Sequence, residues 1–477
     1  MSTEPNPSLC RRLWTPPATR RELLAGLGAG FGAVALGGLA RGLGLSEGAN
    51  PLAARAPHFA PRAKRVIFLF MHGGPSQVDT FDYKPLLQRD HGKPLPFAKP
   101  RIQFAQTGNL LASPWKFAQY GESGARVSEL FPTVATQVDK LCFLKSLWGT
   151  NEAHGGALLA LHTGSATFVR PSMGSWAFYG LGSENESLPG FITICPTLGH
   201  GGVNNWSSAF LPGIYQGTPI GNASVPAKDA AIAHLVGDPA AREAQRRQLD
   251  LLGELNREHR EQREADAALD ARIASYELAF RMQTEAPELF DLSRESSETH
   301  KLYGIDDPLT ENFGRQCLLA RRLSAAGVRF VQCTHSYKWD QHENLAADHA
   351  KNAREVDKPI AGLLRDLEAH GMLEDTLVIW GGEFGRTPVA QGTNGRDHNP
   401  HGFTMWLAGG GTKRGFSYGE TDDYGFYAAK DRVHIHDFHA TLLALLGLDH
   451  EKLTYRYAGR DFRLTDVAGR VVSEIFA

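Results

Sequence analysis

Glu383, Arg386, Arg396, Asp397, His398 and His401 crowd into one Gly-rich segment of a 477-residue chain. Two apolar runs, Thr376–Trp380 and Phe403–Ala408, flank it and are short enough to be buried strands. The segment between them is expected to be a loop. In an open α/β sheet, ligands bind outside the carboxyl ends of the strands. Glu383 falls just past such an end, where a functional carboxylate belongs.

The placement recurs. His72 follows the apolar run RVIFLFM (Arg65–Met71) and opens HGGPSQVDTFD, whose glycines let backbone approach a ligand closely. Asp340 and His342 follow VRFVQC (Val328–Cys333). His154 lies in NEAHGGALLALHTG (Asn151–Gly164), which predicts a helix beginning near His154 and stopping before Gly164. A helix N-terminus offers free N–H groups and partial positive charge, suited to a phosphate, a sulfate or a developing oxyanion. His162, inside that helix, reads as packing. His72, His154, Asp340, His342, Glu383, His398 and His401 thus form the candidate set. Mixed imidazole and carboxylate ligands suit zinc, manganese or iron better than calcium alone. The expected cofactor is one or two divalent cations (zinc, manganese, iron or calcium). Two ions about 4 Å apart clamp an in-line displacement at phosphorus or sulfur. There is no HExxH or Walker loop.

The elements that must carry these residues read as α/β. Further strands are expected at Cys142–Leu147 and Gly190–Pro196, and helices at about Ser128–Val138, Thr310–Ala326 and Asn344–Ala369. The last helix joins two strand runs as a β-α-β unit, which favours parallel pairing. Asp340/His342 and Glu383/His398 should therefore converge on one edge. Tyr83–Ala125 reads as loop and His200–Ala223 as an irregular lobe. Asp238–Met282 reads as one or two amphipathic helices with Leu249, Leu252 and Leu255 on one face. Near the C-terminus Asp437 is expected as an N-cap and Gly447 as a stop, with His434, His436 and His439 structural.

Formal net charge is −2, so no general nucleic-acid affinity is expected. The five cysteines (Cys10, Cys142, Cys195, Cys317, Cys333) have no CxxC spacing and read as buried hydrophobes. Thr19-Arg20-Arg21-Glu22-Leu23-Leu24, followed by a Gly/Ala-rich apolar run, resembles a twin-arginine export signal. Residues 1–56 are then signal and linker, and the protein is expected in the periplasm or secreted. No membrane span is expected beyond the signal. Residues 62–477 read as one domain, with a helical insertion at about 228–300.

The motifs HGGPSQVDTFD, NEAHGGALLALHTG, WDQH (Trp339–His342), GGEFGRTP (Gly381–Pro388), GRDHNPHGFTMWLAGGG (Gly395–Gly411), HDFHATLLALLGLDH (His436–His450) and GRDFRLTD (Gly459–Asp466) together resemble the family designated domain of unknown function 1501. That family is itself similar to the alkaline phosphatase and sulfatase superfamily. The resemblance implies a three-layer α/β/α sandwich with a mostly parallel central sheet, alkaline phosphatase-like. It implies metal ligands at His72, Asp340, His342, Glu383 and His398, with His401 in reserve. Sulfatases carry Cys or Ser before a helix ending in Thr-Gly; His154 occupies that slot here. The resemblance therefore implies attack by metal-activated water, with His154 as ligand or general acid/base. Thr150 is an alternative nucleophile. Arg386 and Asn151 would hold the anion, since guanidinium pairs with tetrahedral oxyanions through two bonds. The expected activity is hydrolysis of a sulfate or phosphate ester, perhaps on a sulfated glycan. The alternative is a non-catalytic relative that binds glycan or another envelope component in the same cleft.

Overall fold

The computed structural model describes residues 51–98, 106–232, 235, 242–261 and 267–477. The twin-arginine segment, Cys10 and the start of the Asp238–Met282 stretch lie outside these residues. The strands of the two larger sheets are β1 (Arg65–Met71), β2 (Thr107–Leu110), β3 (Leu141–Trp148), β4 (Phe191–Ile194), β5 (Thr218–Ile220) and β6 (Phe330–His335). They continue as β7 (Thr376–Gly381), β8 (Gly385–Gln391), β9 (Gly395–Asn399), β10 (Phe403–Ala408), β11 (Phe416–Tyr418) and β12 (Val433–His434). Nine of them form one sheet in the order β11-β3-β10-β7-β1-β6-β4-β5, with β12 also beside β3. Only β10 runs antiparallel to its neighbours.

The continuous apolar runs explain this sheet. Every residue of β6 and β7 is buried, and all of β1 after Arg65, so both faces are covered, as a parallel sheet requires. The covering helices include α1 (His154–Thr163), α2 (Met173–Leu181), α5 (Glu311–Ala325), α6 (Leu345–Ala369) and α7 (Ile435–Leu445). Between β5 and α5 lie α3 (Arg242–Glu261) and α4 (Ala267–Phe290). The protein is an α/β sandwich built on a mostly parallel sheet. Parallel pairing places Met71 opposite His335 and Phe70 opposite Gly381, so three chain exits meet on one edge.

Several expectations need correction. The segment between β7 and β10 is not a loop. It folds as the hairpin β8–β9, and β2 from the supposedly loop-like Tyr83–Ala125 stretch joins it in a separate three-stranded sheet. These strands bury polar residues and so lack the apolar period that marks a strand. The lobe at His200–Ala223 contributes β5 as an edge strand, the position in a sheet where Pro219 is tolerated. Instead of a helix over Ser128–Val138, a strand ends at Ser128 and a 3-10 helix spans Val134–Lys140, after Pro132. On α3, Leu252 and Leu255 stay about half exposed (47 % and 52 %), so that apolar stripe is not packed into the core. Asp437 is not the N-cap of α7: His434 is, and Asp437 closes a capping box by accepting the His434 N–H at 2.9 Å. The four described cysteines are buried and free. Among the described residues no helix is long and apolar enough to cross a membrane.

Candidate functional site

His72 follows β1, Asp340 and His342 follow β6, and Glu383 lies between β7 and β8. His398 stands on β9 and His154 is the first residue of α1. The structure brings all six to one sheet edge. Glu383 is 1 % exposed. Its carboxylate accepts the Gly73 N–H at 3.0 and 3.2 Å and the His154 Nδ1–H at 2.7 Å. Gly73 has φ +117°, and a Cβ there would lie 2.8 Å from the backbone nitrogens of Trp339 and Asp340. Only glycine lets the first loop sit this close to the WDQH loop.

Asp340 is the hub. Tyr337 O–H donates to its Oδ2 at 2.9 Å, and Arg386 Nη2 to its Oδ1 at 2.7 Å. Three imidazole Nε2 atoms also face it: His342 at 2.9 Å, His398 at 3.0 Å and His154 at 3.3 Å. The His342 and His398 Nε2 atoms are 3.0 Å apart. The far nitrogens decide the tautomers. His398 Nδ1–H donates to Glu152 O at 2.6 Å, His342 Nδ1–H to the Gln391 side-chain oxygen, and His154 Nδ1–H to Glu383. In the neutral rings each Nε2 is then a lone pair aimed at a carboxylate that is itself only an acceptor. Such an arrangement is stable only with protons or a metal ion among these atoms. Ligating histidines are held in this way by a hydrogen bond from the other ring nitrogen.

Three overlapping groups bring their ligand atoms within 4.8 Å of one another: His72/His154/Glu383, His154/Asp340/His398 and His342/Asp397/His398. His72 is fully buried. The Tyr337 N–H approaches its Nδ1 at 3.3 Å, while its Nε2 is buried with no partner among the described residues. The donor set fits a divalent cation of the borderline type.

Burial dominates the electrostatics of His72 and His398, lowering each from 6.5 to about 4 and leaving it neutral and able to ligate at neutral pH. For Glu383, burial alone would raise the pKa; the His154 hydrogen bond and the charges of His72 and His154 outweigh it and pull it to about 2. Burial likewise opposes ionisation of Asp340, yet its histidine partners and Arg386 hold it far below the usual carboxylate range. At His154 burial opposes protonation, but Asp340 and Glu383 prevail and raise its pKa; at His342 the Asp340 hydrogen bond does the same. Proton and cation compete for these two rings.

Burial also lowers His162 to about 4, and His349 and His439 to about 3. Between these values and 6.5 the unfolded chain binds more protons than the folded one. Stability should therefore rise with pH across that window. Urea unfolding with a chelator present should give a lower midpoint at about pH 4.5 than at about pH 7. Equal midpoints would refute this assignment.

Four expected residues are placed or engaged otherwise. Arg386 is not an anion clamp: it is wholly buried, and its guanidinium is committed to Gly73 O, Gly74 O, Trp339 O, Arg396 O and Asp340. It staples the two ligand loops together and positions Asp340. Asn151 Oδ1 accepts the Ala153 N–H at 2.9 Å, which orders the turn into α1. His401 packs beside Phe426 and Tyr427, away from the cluster, and Thr150 is an exposed residue outside it. His436 and His439 reach the carbonyls of Gly164 and Leu161 at 2.9 and 2.7 Å, tying α7 to the end of α1. His162 is buried against Phe68 and Phe70, as its packing role requires.

Asp397, Tyr337 and His200 complete the site and were not singled out as site residues from sequence. Asp397 sits beside His398 in a segment read as loop. Tyr337 is one of many tyrosines near a strand end. His200 lies in the lobe read as irregular, and only its flanking glycines marked it.

A family model described as Protein of unknown function (DUF1501) matches residues 63–476. No curated protein matches the chain. Among solved structures it is similar to the lipoteichoic acid synthase LtaP from Listeria monocytogenes. The identity is 10 %, the TM-score 0.37, and the match covers 87 % of this chain and 78 % of that one. It is similar to the PsFucS1 sulfatase from Pseudoalteromonas sp. (13 %, TM-score 0.35, 82 % and 69 % covered). It is also similar to the alkaline phosphatase of the Antarctic bacterium TAB5 (10 %, TM-score 0.35, 81 % and 99 % covered). At such identities and scores nothing about substrate passes from them to this chain.

Proposed function

We propose that this chain, which belongs to the DUF1501 family, is a metal-dependent hydrolase of phosphate or sulfate esters. The observation that carries the reading is the convergence of three imidazole Nε2 atoms on the Asp340 carboxylate, each with its Nδ1 beside an acceptor on the far side. Asp340, His342, His398 and His154 Nε2, with Asp397 beside them, would hold one ion; a second ion between Glu383 and His72 would take the place of the His154 Nδ1 proton. A bound cation supplies Lewis-acid neutralisation of the ester's oxygens and activation of water. The chain's own residues do the rest. Arg386 and Tyr337 orient Asp340, and Gly73 orients Glu383. The N-terminus of α1 offers positive potential where an anion would sit. The first position of that helix is His154, which supports attack by water and not by a protein hydroxyl or thiol.

Twin-arginine export moves folded proteins, and so suits one that must load a metal before crossing. This supports a periplasmic or secreted enzyme acting on an anionic ester, with a sulfated glycan as the candidate polymer.

The test is elemental analysis of protein purified from the exported fraction without added metal. One or two equivalents of zinc, manganese, iron or calcium are expected, and their loss in Asp340→Ala. Folded protein without metal would overturn the reading and direct attention to glycan binding.

A further inference from the structure

His200 belongs to none of the clusters described above, yet its ring is turned into the site. Its centroid lies 5.0 Å from that of His154 and 5.7 Å from that of His72, and those two are 6.1 Å apart. A metal–imidazole nitrogen bond of about 2.0–2.1 Å puts a ring centroid about 3.2 Å from the ion, so rings sharing one ion stand about 5 to 6 Å apart. The two separations from His200 match that spacing, and the third lies at its upper limit.

Two other features single out His200. Its backbone has φ +48°, a left-handed conformation that a non-glycine residue adopts only when its surroundings hold it there. The surroundings are Gly199, Gly201 and Gly202, and an Asn205 Nδ2 hydrogen bond to the His200 carbonyl at 3.3 Å. This main chain delivers a side chain whose imidazole makes ring contacts with His72, His154 and Tyr337 and, among the described residues, no hydrogen bond. Beneath it, His72 Nε2 is buried and has no partner among the described residues.

We propose that His200 is a further metal ligand, closing over the ion held by His154, Glu383 and His72 from the solvent side. The proposal rests on the metal reading above and adds to it a ligand from a separate lobe of the fold. Exposure of His200 makes it the ligand that can leave and return. Anions entering the site would meet it first.

The experiment is cobalt(II) titration of the chelator-stripped full chain, followed by the visible absorption of the bound cobalt. His200→Ala is compared with His200→Asp and with Leu198→Ala, an exposed neighbour (61 %) outside the site. His200→Ala should bind cobalt at least about 100-fold more weakly at one site and change its absorption band. His200→Asp should retain most of the affinity, and Leu198→Ala all of it. Wild-type affinity and spectrum in His200→Ala would overturn the proposal while leaving the metal centre intact. No cobalt binding by the wild-type chain would overturn both.

Discussion

Glu383→Gln is expected to abolish metal-dependent turnover in a protein that remains folded. The substitution keeps shape and removes charge at a carboxylate that is 1 % exposed. In the native site both carboxylate oxygens accept: Gly73 N–H donates to both and His154 Nδ1–H to one. An amide brings two N–H donors of its own, so one end must face a donor that has no other acceptor. The His154 tautomer then loses its anchor, and with it the direction of the Nε2 lone pair. Loss of a partner that orients a ligand weakens metal binding about 10- to 100-fold, and loss of a ligand itself should exceed that. A fall in turnover on the order of 10²- to 10³-fold is the comparable effect of removing one preorganised electrostatic group. Glu383→Asp, which keeps the charge and shortens the reach, should retain part of the metal. Metal content and ester hydrolysis measured together decide the matter. A Glu383→Gln enzyme with native metal content and native turnover would remove Glu383 from the centre.

Asp79→Ala should have the largest effect on stability. Asp79 and Arg396 are both 0 % exposed, paired at 2.6 Å (Nε to Oδ2) and 3.1 Å (Nη2 to Oδ1). Ser76 Oγ–H donates to Asp79 at 2.5 Å, while Arg396 also donates to the carbonyls of Thr387 and Leu111. The pair joins the short helix Gln77–Thr80, just after the His72 loop, to the hairpin that carries His398. Removing Asp79 leaves a guanidinium buried without its counter-charge, a loss of about 3–5 kcal/mol. Asp79→Asn, which keeps the hydrogen-bonding shape, should fall between. Burial alone would raise the Asp79 pKa, but Arg396 and Ser76 hold it below the ordinary value of 3.8. The pair's contribution is therefore present above that pH and is lost as pH falls through the folded pKa. Urea unfolding at neutral pH measures the difference; an unchanged midpoint in Asp79→Ala would show that the pair contributes nothing net.

The expectation that failed most instructively concerns Arg386. An arginine in a Gly-rich segment beside a carboxylate reads as an anion clamp, because guanidinium is rarely buried without reason. Here the reason is internal. Two loops arrive at one edge with three carbonyls to satisfy, and one planar fork reaches them all. Which carbonyls lack partners is a property of how loops meet in space, and no spacing along the chain records it. The β8–β9 hairpin escaped for a related reason. Its buried residues Arg386, Thr387, Arg396, Asp397 and Asn399 are polar, and they are buried because they pair with one another and with distant backbone. Hydrophobic periodicity cannot detect such strands.

By itself the sequence determined the inner strands of the central sheet, the helices of its β-α-β units and the edge on which the candidate residues gather. Continuous apolar runs are the direct imprint of strands covered on both faces, and residues following such runs must exit at the carboxyl edge. That logic reached His72, Asp340, His342, Glu383, His154 and His398. Only the tertiary structure decided which nitrogen each histidine turns inward. It alone showed that Arg386 supports the site from below, and that Tyr337 and His200 form its mouth. His154 meets Glu383 across 229 residues, and His398 meets Asp340 across 58. Their partners are chosen by the register of neighbouring strands and the rotation of α1, quantities that exist only once the chain has closed on itself.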